Sequence, residues 1–243
     1  MKEPEVRTTL RIPGNWSHPR ELLERMPNGF RLTSDTLVLP DGTQLEVFQL
    51  PPDDQFVSIF RSSCRRPPRE DELAILNGYT VNIGLSGPGG SMKAARTMLQ
   101  AGSAIVRAGG AGVFIDNCGL AHGGEDWIEM AQDGESDAMS FAFVNIIRGR
   151  QEVWTIGMHV MGLPEVVMKS SDLDDSGDII IEVIRYICRG DKPIRDGHVL
   201  ADEDGLRFQA GTIGSDPRMV GSPMYNPFGR LKLVSMQDIA ESN

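Results

Sequence analysis

The chain has 243 residues and carries 24 Lys and Arg side chains against 34 Asp and Glu, a formal net charge of −10. This balance disfavours non-specific nucleic-acid binding, because such binding depends on cationic side chains that neutralise phosphates. Hydrophobic residues make up 40% of the chain, which is typical of a globular protein with a sizeable core. The length suits one large domain or two small ones.

The cysteines and the first residues bear on the cellular compartment. The three cysteines are widely spaced and form no CxxC pair, which argues against a disulfide framework or a zinc ribbon. The first residues lack an apolar signal segment, and no apolar run approaches the ~18 residues that span a bilayer. We therefore predict a cytoplasmic protein without a membrane segment.

The N-terminal part predicts a short helix followed by a β-hairpin. The helix is expected around residues 19–25, where Pro19 suits the first turn. Residues 36–39 and 45–48 alternate between apolar and polar side chains. Between them lies Asp41-Gly42, a dipeptide that favours a tight hairpin turn.

Two more elements complete this N-terminal part. Residues 55–60 predict a strand, and residues 69–76 predict a short helix. We expect residues 1–77 to form a β-rich segment packed on a main α+β domain of residues 78–243.

Residues 79–117 predict a strand, a glycine-rich loop, a helix and a second strand. The first strand is expected at 79–83 and the loop at 84–90, with Ser91 as the helix cap. Apolar residues at helical spacing follow, and two glycines at 109 and 110 end the helix. The second strand is expected at 112–117.

The C-terminal half predicts a mixture of helices and strands. Residues 141–147 and 152–156 predict an antiparallel hairpin, and residues 179–187 a helix with one apolar face. A further helix is expected at 124–132, and strands at 166–168, 199–200, 207–210 and 231–234. Since consecutive strands pair antiparallel, the predicted fold class is α+β: a mixed, mainly antiparallel sheet with helices packed on it, plus the hairpin-containing N-terminal segment.

The glycine-rich loop lacks both common nucleotide-binding fingerprints. Gly84, Gly89 and Ser91 have the spacing of a phosphate-binding loop, but Gly90 replaces its lysine. A dinucleotide fingerprint also fails, because Met92 stands where its third glycine belongs. The sequence therefore leaves any cofactor unknown.

The same loop is nevertheless a candidate site for an anion or small ligand. A helix N-terminus offers unpaired backbone N–H groups and the positive end of the helix dipole. The candidate residues are Gly87, Gly89, Gly90 and Ser91, with Asp116 at the end of the following strand. The alternative is a tight crossover turn that needs glycine for positive φ angles.

Three histidines near acidic residues are candidate metal ligands. His122, His159 and His198, with a carboxylate such as Asp116, could hold zinc or iron. No two of them have a local ligand spacing such as HxH or HExxH, so convergence would depend on the fold. The alternative is three separate structural or surface histidines.

Two further features have open interpretations. Cys64 lies in a basic cluster, which could lower its thiol pKa or form a solvated turn paired with nearby acidic residues. The cluster comprises Arg61, Arg65, Arg66 and Arg69. Residues 222–230 form a polar-aromatic loop of the kind found both in functional sites and in ordinary connections.

Several short motifs carry a family resemblance. They are residues 154–158 (WTIGM), 161–166 (MGLPEV) and 195–198 (RDGH), with an apolar helix ending at Ile187 between the last two. Over about residues 80–210 the chain resembles a group of bacterial domains of unknown function. The resemblance implies an α+β domain with a sheet and packed helices, and it implies no activity.

Three functional hypotheses follow. The first is a binding or interaction module for an unknown protein or small molecule, which could form a homo-oligomer. The second is a metal-dependent hydrolase-like enzyme that uses His122, His159, His198 and Asp116. The third is a structural partner in a larger complex.

Overall fold

The computed structural model describes residues 5–173, 177–190, 193–202 and 205–241. Two mostly antiparallel sheets and the helices around them confirm the predicted α+β class. The helices are α1 (Pro19–Arg25), α2 (Phe56–Ser63), α3 (Glu70–Asn77), α4 (Met92–Arg107), α5 (Gly124–Asp133), α6 (Ser136–Phe143), α7 (Asp178–Arg189) and α8 (Met236–Glu241). None of the described helices combines the length and the apolar composition of a membrane-spanning segment.

The first sheet has seven strands in the order β2-β3-β4-β5-β1-β6-β7. They are β1 (Arg7–Gly14), β2 (Arg31–Leu32), β3 (Thr36–Val38), β4 (Gln44–Leu50), β5 (Val81–Pro88), β6 (Gly112–Ile115) and β7 (Leu120–Gly123). Strand β1 pairs with β5 on one side and β6 on the other, with Leu10 opposite both Leu85 and Ile115. Strands from both sides of the predicted boundary at residue 77 therefore belong to one sheet, and the N-terminal strand β1 lies in its interior.

The second sheet has six strands in the order β11-β12-β13-β10-β9-β8. They are β8 (Asn145–Arg148), β9 (Glu152–Ile156), β10 (Glu165–Lys169), β11 (Val199–Asp202), β12 (Gly205–Ile213) and β13 (Arg230–Ser235). Only β10 and β13 pair in parallel among the described strands. The predicted β8–β9 hairpin is confirmed.

One continuous hydrophobic core contains side chains of both sheets and of α4. This helix was predicted from its apolar spacing, and its Ala95, Met98 and Leu99 are completely buried. The same core contains Leu10 of the first sheet and Val166 of the second. Helix α4 contacts strands β1, β5 and β6 of the first sheet and the turn of residues 158–161, which lies between β9 and β10.

One strand prediction was wrong, and another began too early. Residues 56–60 lie in helix α2, where Phe56 and Phe60 are one helical turn apart and both buried. Residues 141–143 complete helix α6, and the strand begins only at Asn145. In both segments the apolar residues favour a strand by composition, but the buried ones follow helical spacing.

Most of the predicted glycine-rich loop is strand. Strand β5 runs through residues 84–88, and Gly84 lies under the Phe48 ring, where a Cβ would overlap it. A Cβ on Gly87 would lie 2.5 Å from Leu45 Cδ2 and 2.6 Å from Met98 Sδ. These glycines therefore make room for neighbouring side chains, and of the loop's glycines only Gly90 has a positive φ (78°).

Candidate functional site

A tight turn connects β9 to β10 and contacts the start of α4. It is a 3₁₀ turn at Met158–Met161 between two glycines with positive φ, 112° at Gly157 and 78° at Gly162. A side chain on Gly162 would overlap the carbonyl oxygen of Gly90, whose N–H donates to Val160 O at 2.9 Å. Glycine is needed here for both its backbone angle and this close approach.

The carboxylate of Glu165 is the centre of the buried polar groups around this turn. The residue is 5% exposed. Its Oε1 accepts from Gly157 N at 3.1 Å and from Asn226 Nδ2 at 2.9 Å. Its Oε2 accepts from the Thr155 hydroxyl at 2.7 Å and, more weakly, from Met158 N at 3.4 Å. With its lone pairs occupied, the carboxylate fastens the turn to β9 and β10.

His159 and Asn117 extend these contacts to the first sheet. His159 Nδ1 lies 3.4 Å from Glu165 Oε1, and its Nε2 lies 3.0 Å from the carbonyl oxygen of Pro223. Asn117 Nδ2 donates to Arg7 O at 2.9 Å and to Pro223 O at 3.1 Å. Its Oδ1 accepts from the N–H of Thr9.

We call Asn117, Thr155, His159, Glu165 and Asn226 the junction network. All five side chains are buried. They connect both sheets with the loop of residues 214–229, which contributes Asn226 and the Pro223 carbonyl. Because a buried polar group is costly unless it is hydrogen-bonded, this network holds the loop in one position.

A cavity of about 470 Å³ lies between this loop and the second sheet. Val153, Val166 and Met168 face the main core, so the alternation along β9 and β10 turns Trp154 and Val167 to the opposite face. We call the cavity on that face the outer-face pocket. Its apolar walls are Trp154, Ile156, Val167, Met219 and Met224, and Thr155, Glu165 and Asn226 of the junction network also line it.

Charged side chains line the rest of the outer-face pocket. Arg218 holds Asp216 with two guanidinium nitrogens, Nε at 3.0 Å and Nη2 at 2.6 Å. These hydrogen bonds lower the pKa of Asp216 to about 2. Arg230 lies 3.9 Å from the same carboxylate, and its Nε donates to Gly214 O. Arg150 and Glu152 line the end near the β8–β9 turn.

The predicted glycine-loop residues lie at a different place. Ser91 caps α4 as predicted, since its hydroxyl accepts from Ala94 N at 3.1 Å. The N–H groups of Gly89 and Gly90 already donate to Val6 O and Val160 O. Gly87 and Gly89 line a broad cavity of about 940 Å³ beside the β3–β4 hairpin.

Asp116 forms an ion pair on the first sheet. Its carboxylate lies 2.8 Å from Arg11 Nε. Burial raises the pKa of Asp116, and the neighbouring Arg11 opposes that rise. Asp116, a predicted ligand residue, is therefore already paired with Arg11 of β1. Anion binding at the glycine loop stays a prediction.

The three predicted metal ligands have different surroundings. His122 is buried between Trp127 and Phe141, with Nε2 3.0 Å from Ala142 O, and burial lowers its pKa to about 4. His159 belongs to the junction network, while His198 is exposed and accepts from Arg195 N. No group of three His, Cys, Asp or Glu side chains that could hold a metal ion occurs among the residues that the structure describes. The metal-dependent hydrolase stays a prediction.

The basic cluster around Cys64 links elements of the fold. Burial raises the pKa of Cys64 to about 12, which is the opposite of thiol activation. The Arg65 guanidinium lies 4.9 Å from the centre of the Phe141 ring and donates to Val144 O. Arg66 pairs with Asp126 on α5. These contacts tie the segment between α2 and α3 to α5 and α6.

Sequence reasoning singled out His159 and the 222–230 loop but missed how the junction network forms. Asn117, the neighbouring pair Thr155 and Glu165, and Asn226 come from three distant parts of the chain. A signal was present in the turn, where Gly157 and Gly162 bracket the buried His159. Two glycines with a histidine between them indicate a constrained turn, but they do not identify its partners.

No protein-family model, curated protein or solved structure matches the chain. The resemblance to bacterial domains of unknown function therefore stays a prediction.

Proposed function

We propose that this protein is a binding module that takes a small, largely apolar molecule in the outer-face pocket. The observation that carries the proposal is the pocket itself, a cavity of about 470 Å³ with apolar walls and a few polar groups. Ligand sites in proteins usually have this composition and a volume of roughly 300–1,000 Å³.

The way the pocket is built supports a role in binding. Its walls come from β9 and β10 and from a loop that Asn226 fastens to Glu165 and to Leu163 O. A site held by buried hydrogen bonds is preorganised, so a ligand would not have to order the loop on binding. Trp154 and Met224 offer polarisable apolar surface to such a ligand.

The glycine loop supports the proposal less well. The N–H groups of Gly89 and Gly90 would have to give up their bonds to Val6 and Val160 before they could bind an anion. The outer-face pocket needs no such rearrangement.

A fluorescence titration tests the proposal. N-phenyl-1-naphthylamine is an uncharged aromatic probe whose emission rises in apolar surroundings, and we expect saturable binding with one site per chain. Val167→Phe would place a ring in the pocket and should abolish that site. Ile59→Phe enlarges an exposed side chain on α2 and is the matched control. Absence of saturable binding, or equal binding by Val167→Phe, would overturn the proposal.

The proposal includes a cytoplasmic location. Cys64, Cys118 and Cys188 are all free. Free thiols are typical of a reducing compartment, which supports this location. Assembly into a homo-oligomer stays a prediction, which light scattering on the purified protein tests.

A further inference from the structure

We infer that the ligand of the outer-face pocket carries an anionic, oxygen-bearing group on its apolar body, and that Arg218 and Arg230 bind this group. The inference rests on the proposed function and specifies the chemical class of the ligand. It follows from a comparison of the hydrogen-bond acceptors and donors that line the pocket.

The acceptors of the pocket are largely occupied by the protein itself. The Glu165 carboxylate accepts from Gly157, Asn226, Thr155 and Met158. Asp216 Oδ1 accepts from the backbone N and Nε of Arg218, and its Oδ2 accepts from Nη2. A ligand that brings hydrogen-bond donors would therefore find few free partners on these two carboxylates.

Glu152 is the third carboxylate of the pocket. It lies 3.8 Å from Lys232 Nζ and is half exposed to solvent. Water screens a charge in that position, so Glu152 is a weak anchor for a cationic ligand.

Guanidinium donors, in contrast, are in excess. A guanidinium has five N–H groups. Arg230 uses Nε on Gly214 O, and its Nη1 is 3.9 Å from Asp216, too far for a hydrogen bond. Arg218 uses only Nε and Nη2, but it is 80% exposed, so water screens its charge as it does that of Glu152. Arg230 is 27% exposed and is therefore the main anchor for an anion. In the described part of the chain, the Arg150 side chain has no hydrogen-bond or ion-pair partner.

The position of Arg230 suits an anion at one end of the pocket. It pairs in parallel register with Glu165 across β10 and β13, so both side chains lie on the face that carries the pocket. Trp154 pairs with Val167 further along the strands. An apolar body lying over Trp154 and Val167 would therefore leave its polar end near Arg230.

The preference of the pocket for an anionic ligand does not come from its net charge. Three arginines and three carboxylates line the pocket, so its formal charge is balanced. The preference arises because the carboxylates are already paired, while guanidinium N–H groups remain for a ligand. Carboxylate, sulfonate and phosphate groups match the planar donor fork of arginine.

A matched pair of probes tests the inference. 8-Anilinonaphthalene-1-sulfonate has the same ring system as N-phenyl-1-naphthylamine and adds one sulfonate. We expect the sulfonate probe to bind at least about tenfold more tightly, because charge-assisted hydrogen bonds are stronger than neutral ones. The double variant Arg218→Gln/Arg230→Gln should lose that difference, measured as the ratio of the two dissociation constants within the same variant. Arg20→Gln/Arg61→Gln removes the same charge from exposed positions and is the control.

The outcomes separate the two proposals. If the neutral probe binds the pocket and the sulfonate probe binds no more tightly, the inference is overturned and the proposed function stands. If the double variant keeps the full preference for the sulfonate probe, the inference is also overturned. If neither probe binds in a manner that Val167→Phe blocks, the proposed function fails, and the inference fails with it. A circular-dichroism melt confirms that each variant is folded.

Discussion

Removing the Glu165 side chain should destabilise the protein strongly. In Glu165→Ala the buried N–H groups of Gly157 and Met158 and the amide of Asn226 lose their acceptor. Each buried donor left unpaired costs about 1–3 kcal/mol, and the lost volume adds a cavity. Water entering from the adjoining pocket would satisfy part of this loss, so we expect a total cost of about 3–5 kcal/mol.

Glu165→Gln should cost much less. Its amide oxygen can replace Oε1 and accept from Gly157 and Asn226. Its NH₂ group can replace Oε2 and donate to the Thr155 hydroxyl, which would rotate to accept. The long contact with Met158 N is lost and the Thr155 hydroxyl loses the acceptor of its own hydrogen, so about 1–2 kcal/mol is expected.

Urea unfolding followed by circular dichroism measures both changes in the free energy of unfolding, provided that the slope of free energy against urea is unchanged. Glu182→Ala, at an exposed position on α7, is the control and should change stability by no more than about 0.5 kcal/mol. A loss below about 1 kcal/mol in Glu165→Ala would refute the reasoning, because the carboxylate would then not be holding buried donors.

Three further results are expected. Burial lowers the pKa of His122 from 6.5 to about 4, so the unfolded chain binds this proton first. The stability that neutral His122 contributes is therefore fully present above pH 6.5, and about 3 kcal/mol of it is lost as the pH drops towards 4. His122→Gln should remove this part of the pH dependence in urea titrations. An unchanged dependence would contradict the reasoning. Gly84→Ala should cost about 1–3 kcal/mol through overlap with Phe48, and a double-mutant cycle with Phe48→Ala should recover much of that loss, whereas additive effects would argue against the overlap. Ser91→Ala should cost about 1 kcal/mol by removing the cap of α4; Ser91→Thr, which keeps the hydroxyl, should cost less, and equal losses would contradict the capping role.

Local patterns in the sequence predicted elements whose stability has a local cause. Helices α4 and α7 were predicted because their apolar residues repeat at helical spacing. The α+β class followed from consecutive strand segments, which pair as hairpins in β3–β4 and β8–β9. Helix α2 was missed because its short apolar run is compatible with both periods, and burial of Phe56 and Phe60 decides between them.

The candidate site depends on contacts that sequence spacing does not encode. Gly84 is small because of Phe48, which lies 36 positions earlier in the chain and on the neighbouring strand. Asn117 donates to Pro223 O, 106 positions later in the chain, in the loop that carries Asn226. The sequence could therefore indicate His159 and the 222–230 loop as separate candidates, but not their convergence with Glu165.

The most direct test of the central claim, that the outer-face pocket binds ligand, is a nuclear magnetic resonance titration of the tryptophan indole N–H groups with N-phenyl-1-naphthylamine. The chain has three tryptophans. Trp16 and Trp127 are buried and donate to Ala108 O and Leu99 O, whereas Trp154 is half-buried in the pocket wall. We predict that only the Trp154 resonance shifts and that Val167→Phe abolishes the shift. No shift at Trp154, or equal shifts at all three indoles, would contradict the account.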